Sequence, residues 1–250
     1  MHHPARTVRA ALELAEGDRN ATKIARQLGV SRSTVRYWLA RDRNRSACVR
    51  PKSACSCCGG EHDFEQLTES YVYLLGLYLG DGCISAHPRS VYRLRIVLDV
   101  KYPGIIESTA ATMSEVRYGK TLIQPRPKNC VEVSSYWRCW PCLFPQHGSG
   151  KKHERRIVLT DWQQQLVDRW PDQLLRGLIQ SDGCRFQNTG RGGWSCPRYA
   201  FSNRSTDIHS IFCRACEQLG VRWTASGSDT IYVSRKADVA TLDSFIGPKR

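Results

Sequence analysis

The chain has 250 residues, 41% of them hydrophobic, enough to bury a sizeable core in one large domain or a few small ones. No apolar run approaches the ~20 residues of a membrane span, and Met1-His2-His3-Pro4 lacks the apolar segment of a signal peptide, so no membrane partner and a cytoplasmic location are expected. Thirty-seven Lys and Arg against 23 Asp and Glu leave a net charge of +14, which argues for a polyanionic partner held through phosphate contacts.

Residues 1–45 read as a small all-α unit. Val8, Ala11, Leu12 and Ala15 recur at helical spacing before Gly17, and Ile24, Leu28, Val30, Val35 and Trp38 mark two further short helices. Ala25 is small enough for a close crossing, Gly29 permits a tight turn, and Ser31 can N-cap the third helix. Arg32, Ser33, Thr34 and Arg36 then crowd its outer, N-terminal face while Val35 and Trp38 face inward. The segment resembles the helix-turn-helix DNA-binding units of recombinases and small repressors. The resemblance implies a third helix in the major groove of double-stranded DNA, read by those four residues, and a nucleoid-associated protein.

Residues 46–66 form a basic, Cys-rich linker. In a reducing compartment the twelve cysteines are thiols or metal ligands rather than disulfides. Cys55 and Cys58 have the spacing of half a zinc knuckle, and Cys139 and Cys142 could supply the other half, with His62, His147 and His153 as substitutes. A structural Zn²⁺ on Cys55, Cys58, Cys139 and Cys142 would tie the segment before residue 67 to a segment far along the chain. The alternative is reduced thiols on small loops.

From 67 to 159 the pattern gives an apolar helix from Tyr71 to Asp81, paired strands over 83–87 and 91–100, a helix over 104–116, and a second hairpin over 118–124 and 131–137. Arg93 and Arg95 share one strand face. Prolines and glycines then interrupt 139–156, where Lys151, Lys152, His153, Arg155 and Arg156 suit a grip on a phosphate backbone.

Residues 160–250 repeat that order: a lead-in helix over 161–169, a helix opened by Pro171 and ending at Asp182, strands at 185–188 and 199–203, a helix over 207–219, a hairpin over 221–224 and 230–234, and a closing helix over 237–246. Leu175-Arg176-Gly177-Leu178-Ile179-Gln180-Ser181-Asp182-Gly183 restates Leu74-Leu75-Gly76-Leu77-Tyr78-Leu79-Gly80-Asp81-Gly82 about a hundred positions on. Gly82 and Gly183 are expected to stop each helix in the left-handed conformation. Packed side by side, Gly76 and Gly177 would let the backbones approach and bring Asp81 and Asp182 to one end of the seam. Two such carboxylates repel unless a cation lies between them, and their hard oxygens suit Mg²⁺.

The paired motif resembles that of the LAGLIDADG homing endonucleases, over residues 67 to 246. The resemblance implies an α+β fold of two pseudo-symmetric αββαββα repeats in a single chain that is a monomer, with motif helices at the centre. It further implies Asp81 and Asp182 as ligands of the divalent metal for phosphodiester hydrolysis, Lys101 and Arg204 as the basic residues near the scissile phosphate, and an outer strand face in the major groove, for which Tyr92, Arg93 and Arg95 are candidates depending on register. Leu79 and Gln180 depart from the acidic residue in the motif's name, and Arg176 from its small second residue.

Two functions are therefore expected to compete. One is a site-specific, Mg²⁺-dependent double-strand DNA endonuclease. The other is a non-cleaving transcriptional regulator that uses the same fold and the helix-turn-helix for recognition alone.

Overall fold

The computed structural model describes residues 5–17, 20–36, 38, 39, 58, 62–247 and 249. Cys55 and most of the expected linker lie outside the described residues. The chain divides into two compact units, residues 1–49 and residues 50–250.

In the first unit, α1 (Ala5–Gly17) and α2 (Ala21–Leu28) precede a third helical stretch, α3 (residues 32–36). Asn20 caps α2, its side-chain oxygen accepting from the amides of Thr22 at 3.1 Å and Lys23 at 3.4 Å. Gly29 adopts φ 64°, the left-handed conformation that a tight turn after a helix requires. Ser31 caps α3 as expected, accepting from the amide of Thr34 at 3.1 Å. Ala11, Ala15, Ile24, Ala25, Val35 and Trp38 form the core of this unit. Arg32, Ser33 and Arg36 are exposed and Thr34 is half-buried.

The second unit contains the expected repeat twice. The first is α4 (Glu69–Asp81), β1 (Gly82–His87), β2 (Val91–Asp99), α5 (Pro103–Arg117), β3 (Leu122–Arg126), β4 (Cys130–Trp137) and α6, a single turn over Trp140–Leu143. After a lead-in helix α7 (Asp161–Arg169) come α8 (Pro171–Asp182), β5 (Gly183–Thr189), β6 (Ser195–Ser202), α9 (Thr206–Gln218), β7 (Thr224–Ser226), β8 (Thr230–Val233) and α10 (Lys236–Ile246). The two antiparallel sheets have matching strand orders, β1-β2-β4-β3 and β5-β6-β8-β7. The fold is thus α+β, with a helix-turn-helix ahead of the repeats.

Some edges move. Tyr118 belongs to no strand; it caps α5 in the left-handed conformation, φ 53°, so β3 starts four residues later. The segment after α9 stays irregular until Thr224, which shifts the last hairpin. The stretch expected to be wholly irregular after Trp137 contains α6, opened by Pro141 in its first turn, where a missing amide hydrogen costs nothing.

α4 and α8 lie against each other at the centre. A Cβ on Gly76 would sit 2.5 Å from the Leu174 carbonyl oxygen and 2.9 Å from the Gly177 Cα; one on Gly177 would meet the Tyr73 carbonyl and the Leu77 amide nitrogen. Glycine at both positions therefore sets the separation of the helices. Because the seam buries both flanks, α4 is buried from Tyr71 to Leu79 without a polar face. Leu74, Leu75, Leu77, Leu79, Leu174, Leu175 and Leu178 are each fully buried, about 1.5–3 kcal/mol per side chain relative to exposure.

Gln180 explains one departure from the motif's usual residues. It is 7% exposed, accepts from the Tyr73 hydroxyl across the seam at 2.5 Å, and donates to the Ile246 carbonyl at 3.2 Å. An ionised carboxylate there would need a buried counter-charge, whereas the neutral amide is satisfied on both sides. Arg176 lies with its guanidinium 4.7 Å from the centre of the Tyr73 ring, so the second departure also contacts the opposite repeat.

The expectation that Gly82 and Gly183 stop their helices in the left-handed conformation is corrected. Both are extended, at φ −81°, ψ 150° and φ −111°, ψ 169°, and each chain runs straight from helix into strand. Glycine is required there by crowding. A Cβ at Gly82 would strike Tyr78 one turn back, and at Gly183 it would lie 2.8 Å from the Ile179 Cα and 3.0 Å from the Ala200 carbonyl oxygen.

Candidate functional site

The helix-to-strand junctions put Asp81 and Asp182 at the C-terminal tips of α4 and α8, where unpaired carbonyls make the surroundings electronegative. Two lysines meet those carbonyls. Lys152 Nζ donates to the carbonyls of Tyr78 at 2.5 Å, Leu79 at 3.0 Å and Gly80 at 2.6 Å. Lys249 Nζ donates to the carbonyls of Ser181, at 3.4 Å, and Gly183. Each repeat thus ends by returning an ammonium group to the tip of its own motif helix.

The two carboxyls are close. A Cβ on Gly80 would lie 3.1 Å from Asp182 Oδ2, so the carboxyl of one repeat rests against the helix end of the other. Asn203 donates to Asp182 Oδ2 at 2.6 Å and fixes its orientation. Asp81 still reaches solvent, but loss of hydration between the helix tips, and then the Asp182 charge, push its pKa up to about 6 against the opposing pull of Lys152 and Lys249. Loss of hydration also raises the Asp182 pKa, opposed by the Asn203 hydrogen bond and the two lysines. Lys152 is pushed down to about 8 by burial, with Asp182 and Asp81 resisting, and Lys249 is lowered for the same first reason.

This is a suitable place for a divalent cation. Two hard carboxylate donors converge at the negative ends of two helices, and loss of hydration pushes both toward protonation. Asp81 and Asp182 are the residues that would hold it.

A groove of about 440 Å³ opens beside the tips, walled by Asp182, Cys83, Lys151, Lys152, His153, Arg155 and Arg204. Of the basic residues expected between the repeats, Lys151, Lys152, His153 and Arg155 therefore line the groove with Asp182, and Arg156 does not. They are held differently. Lys151 is exposed and 3.4 Å from Glu154, His153 is half-buried, and Arg155 donates to the Gln146 carbonyl, which pins the loop. Arg204, adjacent to Asn203, is exposed in the groove wall.

Lys101 lies further out. It is exposed, pairs with Asp99 Oδ2 at 2.9 Å, and has its ammonium 4.9 Å from the centre of the Tyr102 ring, which Lys249 approaches at 5.6 Å. Sequence reasoning placed Lys152 only among phosphate contacts and missed Lys249. A lone lysine after α10 carries no local pattern; the signal available was that both follow the last helix of a repeat.

Arg93 and Arg95 share the sheet face opposite Leu94, Ile96 and Leu98, which are buried. Arg93 is engaged within that face by Glu132, a carboxylate only 3% exposed that also pairs with Arg126 at 3.0 Å. Arg95 makes a weaker contact, 4.0 Å to Cys83 Sγ, beside the carboxylate tip. Arg32, Ser33, Thr34 and Arg36 belong to the other unit, on the outer face of α3. Of the four expected zinc ligands, Cys58 and Cys139 come together with His62 in their company; Cys142 is buried on α6, and Cys55 is outside the described residues.

A family model described as a helix-turn-helix domain matches residues 8–44. No curated protein sequence matches. Similar solved structures include a LAGLIDADG meganuclease, I-AabMI, bound to uncleaved DNA, at 13% identity over 72% of this chain and 83% of that one, TM-score 0.46. Another is the homing endonuclease I-DmoI in complex with DNA and Mn, at 16% identity over 71% and 96%, TM-score 0.45. A third is the N-terminal LAGLIDADG domain of DUF199/WhiA, at 10% identity over 84% and 91%, TM-score 0.42. Among the described residues no helix is long and apolar enough to cross a membrane.

Proposed function

We propose that this chain, two LAGLIDADG-like repeats behind a helix-turn-helix, is a sequence-specific double-stranded DNA endonuclease that hydrolyses phosphodiester bonds with Mg²⁺. One observation carries the reading. Asp81 and Asp182 stand at adjoining helix tips, each beside a lysine returned by its own repeat, and Asp182 and Lys152 line a basic groove. A purely structural helix crossing has no use for that unfavourable pairing.

A divalent ion held by Asp81 and Asp182 would neutralise charge on the leaving oxygen and favour an ionised water. The chain's own groups do the rest. Asn203 keeps the Asp182 carboxyl in one orientation. Lys152, in the groove wall, holds a proton on Nζ that gives an entering phosphate a charge-assisted hydrogen bond, and Lys249 holds a second ammonium at the other helix tip. Arg155, His153, Lys151 and Arg204 grip flanking phosphates. Arg95 on the open face of the first sheet and Arg32, Ser33 and Arg36 on α3 supply sequence reading. Lys101, beyond Tyr102, contributes long-range positive potential. The two repeats suffice for two strands, so a monomer acts on a duplex.

The helix-turn-helix favours a second reading, a regulator that binds without cutting. Incubating the protein with a randomised duplex library and Mg²⁺, then sequencing bound and cut molecules, separates them. The endonuclease yields ends clustered inside the enriched site; the regulator yields an enriched site with no ends.

A further inference from the structure

Away from the helix tips, Cys58, His62 and Cys139 place one sulfur, one ring nitrogen and one sulfur all within 4.8 Å of each other. Cys58 Sγ and His62 Nε2 are 3.1 Å apart. Around a tetrahedral zinc ion, with Zn–S of about 2.3 Å and Zn–N of about 2.0 Å, neighbouring donor atoms are separated by roughly 3.5–3.8 Å; the Cys58–His62 pair lies just inside that spacing, and Cys139 Sγ is within 4.8 Å of both. All three residues are half-buried, a setting that shields an ion from solvent while leaving an entry path.

We propose that Cys58, His62 and Cys139 form a structural zinc site, with a fourth donor completing the tetrahedral shell. Soft thiolates and an imidazole select zinc over the hard cation suited to Asp81 and Asp182. The ligand set differs from an all-cysteine knuckle because His62 lies on the segment entering α4, where it stacks on Phe64 at 5.3 Å; Phe64 in turn stacks on Trp162 of α7 at 4.1 Å. That aromatic ladder fixes the ring beside Cys58. Cys139 is the N-cap of α6, the last turn before the loop that carries Lys152. The ion therefore clamps the start of the first motif helix's lead-in to the base of the loop that delivers Lys152 to the helix's far end.

The test uses the full chain, expressed with zinc in the medium and purified without chelator. Metal analysis is expected to give about one zinc per chain, unchanged in the Asp81→Asn, Asp182→Asn double variant and unchanged in Cys213→Ser, a thiol on α9. Cobalt(II) in its place should show the visible bands of a tetrahedral ion and a thiolate charge-transfer band. Cys58→Ser with Cys139→Ser should lose the metal. Should that variant fail to fold, His62→Cys keeps the donor count, and it should retain zinc with a stronger thiolate band. Zinc-free wild-type protein, zinc retained after the double serine substitution, or a His62→Cys cobalt spectrum identical to the wild type's would each overturn the proposal.

Discussion

Lys152 and Lys249 do the same thing on the two sides of the pseudo-symmetric seam, at the end where both motif helices stop. Lys152 Nζ binds the last carbonyls of the first motif helix and Lys249 Nζ those around the end of the second, each beside its repeat's aspartate. An ammonium at a helix C-terminus stabilises it by ~0.3–1 kcal/mol on general grounds, too little to justify burying two of them against falling pKa values. Lys152→Met and Lys249→Met are expected to lower the cleavage rate by about 10²-fold or more each. DNA affinity should fall only by the few-fold that a single phosphate interaction supplies. Single-turnover cleavage alongside equilibrium binding distinguishes the two; equal losses in rate and affinity would make the lysines ordinary phosphate ligands.

The seam itself tolerates no side chain. Gly76→Ala and Gly177→Ala drive a methyl into backbone atoms of the facing helix at less than 3.0 Å, and backbone cannot rotate away. Each should destabilise the second unit by about 3 kcal/mol or more, at the upper end of overpacking costs. Urea denaturation reads this out. A change below about 1 kcal/mol would mean the helices separate freely.

Asp81 links stability to pH. Its folded pKa of about 6 lies above the ordinary carboxylate value of about 3.9, so the folded state binds a proton more tightly than the unfolded chain. The resulting stabilisation is complete below about pH 4 and is lost as pH rises through about 6. In metal-free buffer, Asp81→Asn should therefore melt above the wild type at pH 7.5, with the gap closing as pH falls to 4. Solvent reaches Asp81 and screens it, which holds the effect to about 1 kcal/mol at most. Mg²⁺ at pH 7.5 should stabilise the wild type more than the variant. A variant less stable at pH 7.5 would contradict the crowding of charge described at the helix tips.

Much of this was legible in the chain alone, for identifiable reasons. The Gly76/Gly177 and Asp81/Asp182 repetition encodes a helix pair because close approach and a terminal carboxylate are local demands with local residues. The strand alternation around Leu94, Ile96 and Leu98 gave the core face of β2, and with it the outward face of Arg93 and Arg95. Burial of Glu132 did not show, because its partners Arg93 and Arg126 meet it only once β2, β3 and β4 pair. Lys249 was invisible for a similar reason: only the fold returns the end of the second repeat to Ser181. Gly82 and Gly183 looked like left-handed stops because glycine after a helix usually is one, and the actual cause, contact with Tyr78 and Ile179 one turn back, is a packing fact.

The first unit has its own core, built around Ala11, Val35 and Trp38. Deleting residues 1–49 should leave the melting transition of the remainder in place while weakening DNA binding and shortening the footprint. The dependence of log K on log salt should become shallower by about 0.9 for every phosphate that the truncated protein no longer neutralises. An unchanged footprint and salt slope would remove the helix-turn-helix from DNA recognition.

Cleavage in the Asp81→Asn, Asp182→Asn double variant tests the central claim most directly. On the duplex selected by the wild type, with Mg²⁺ or Mn²⁺ present, the wild type should cut both strands inside the footprint. The double variant should bind within a few-fold of wild-type affinity and give no cut product, because its Arg and Lys contacts remain while the metal ligands are gone. Site-specific product from the double variant, or a wild type that binds the site tightly and leaves both strands intact, would contradict it.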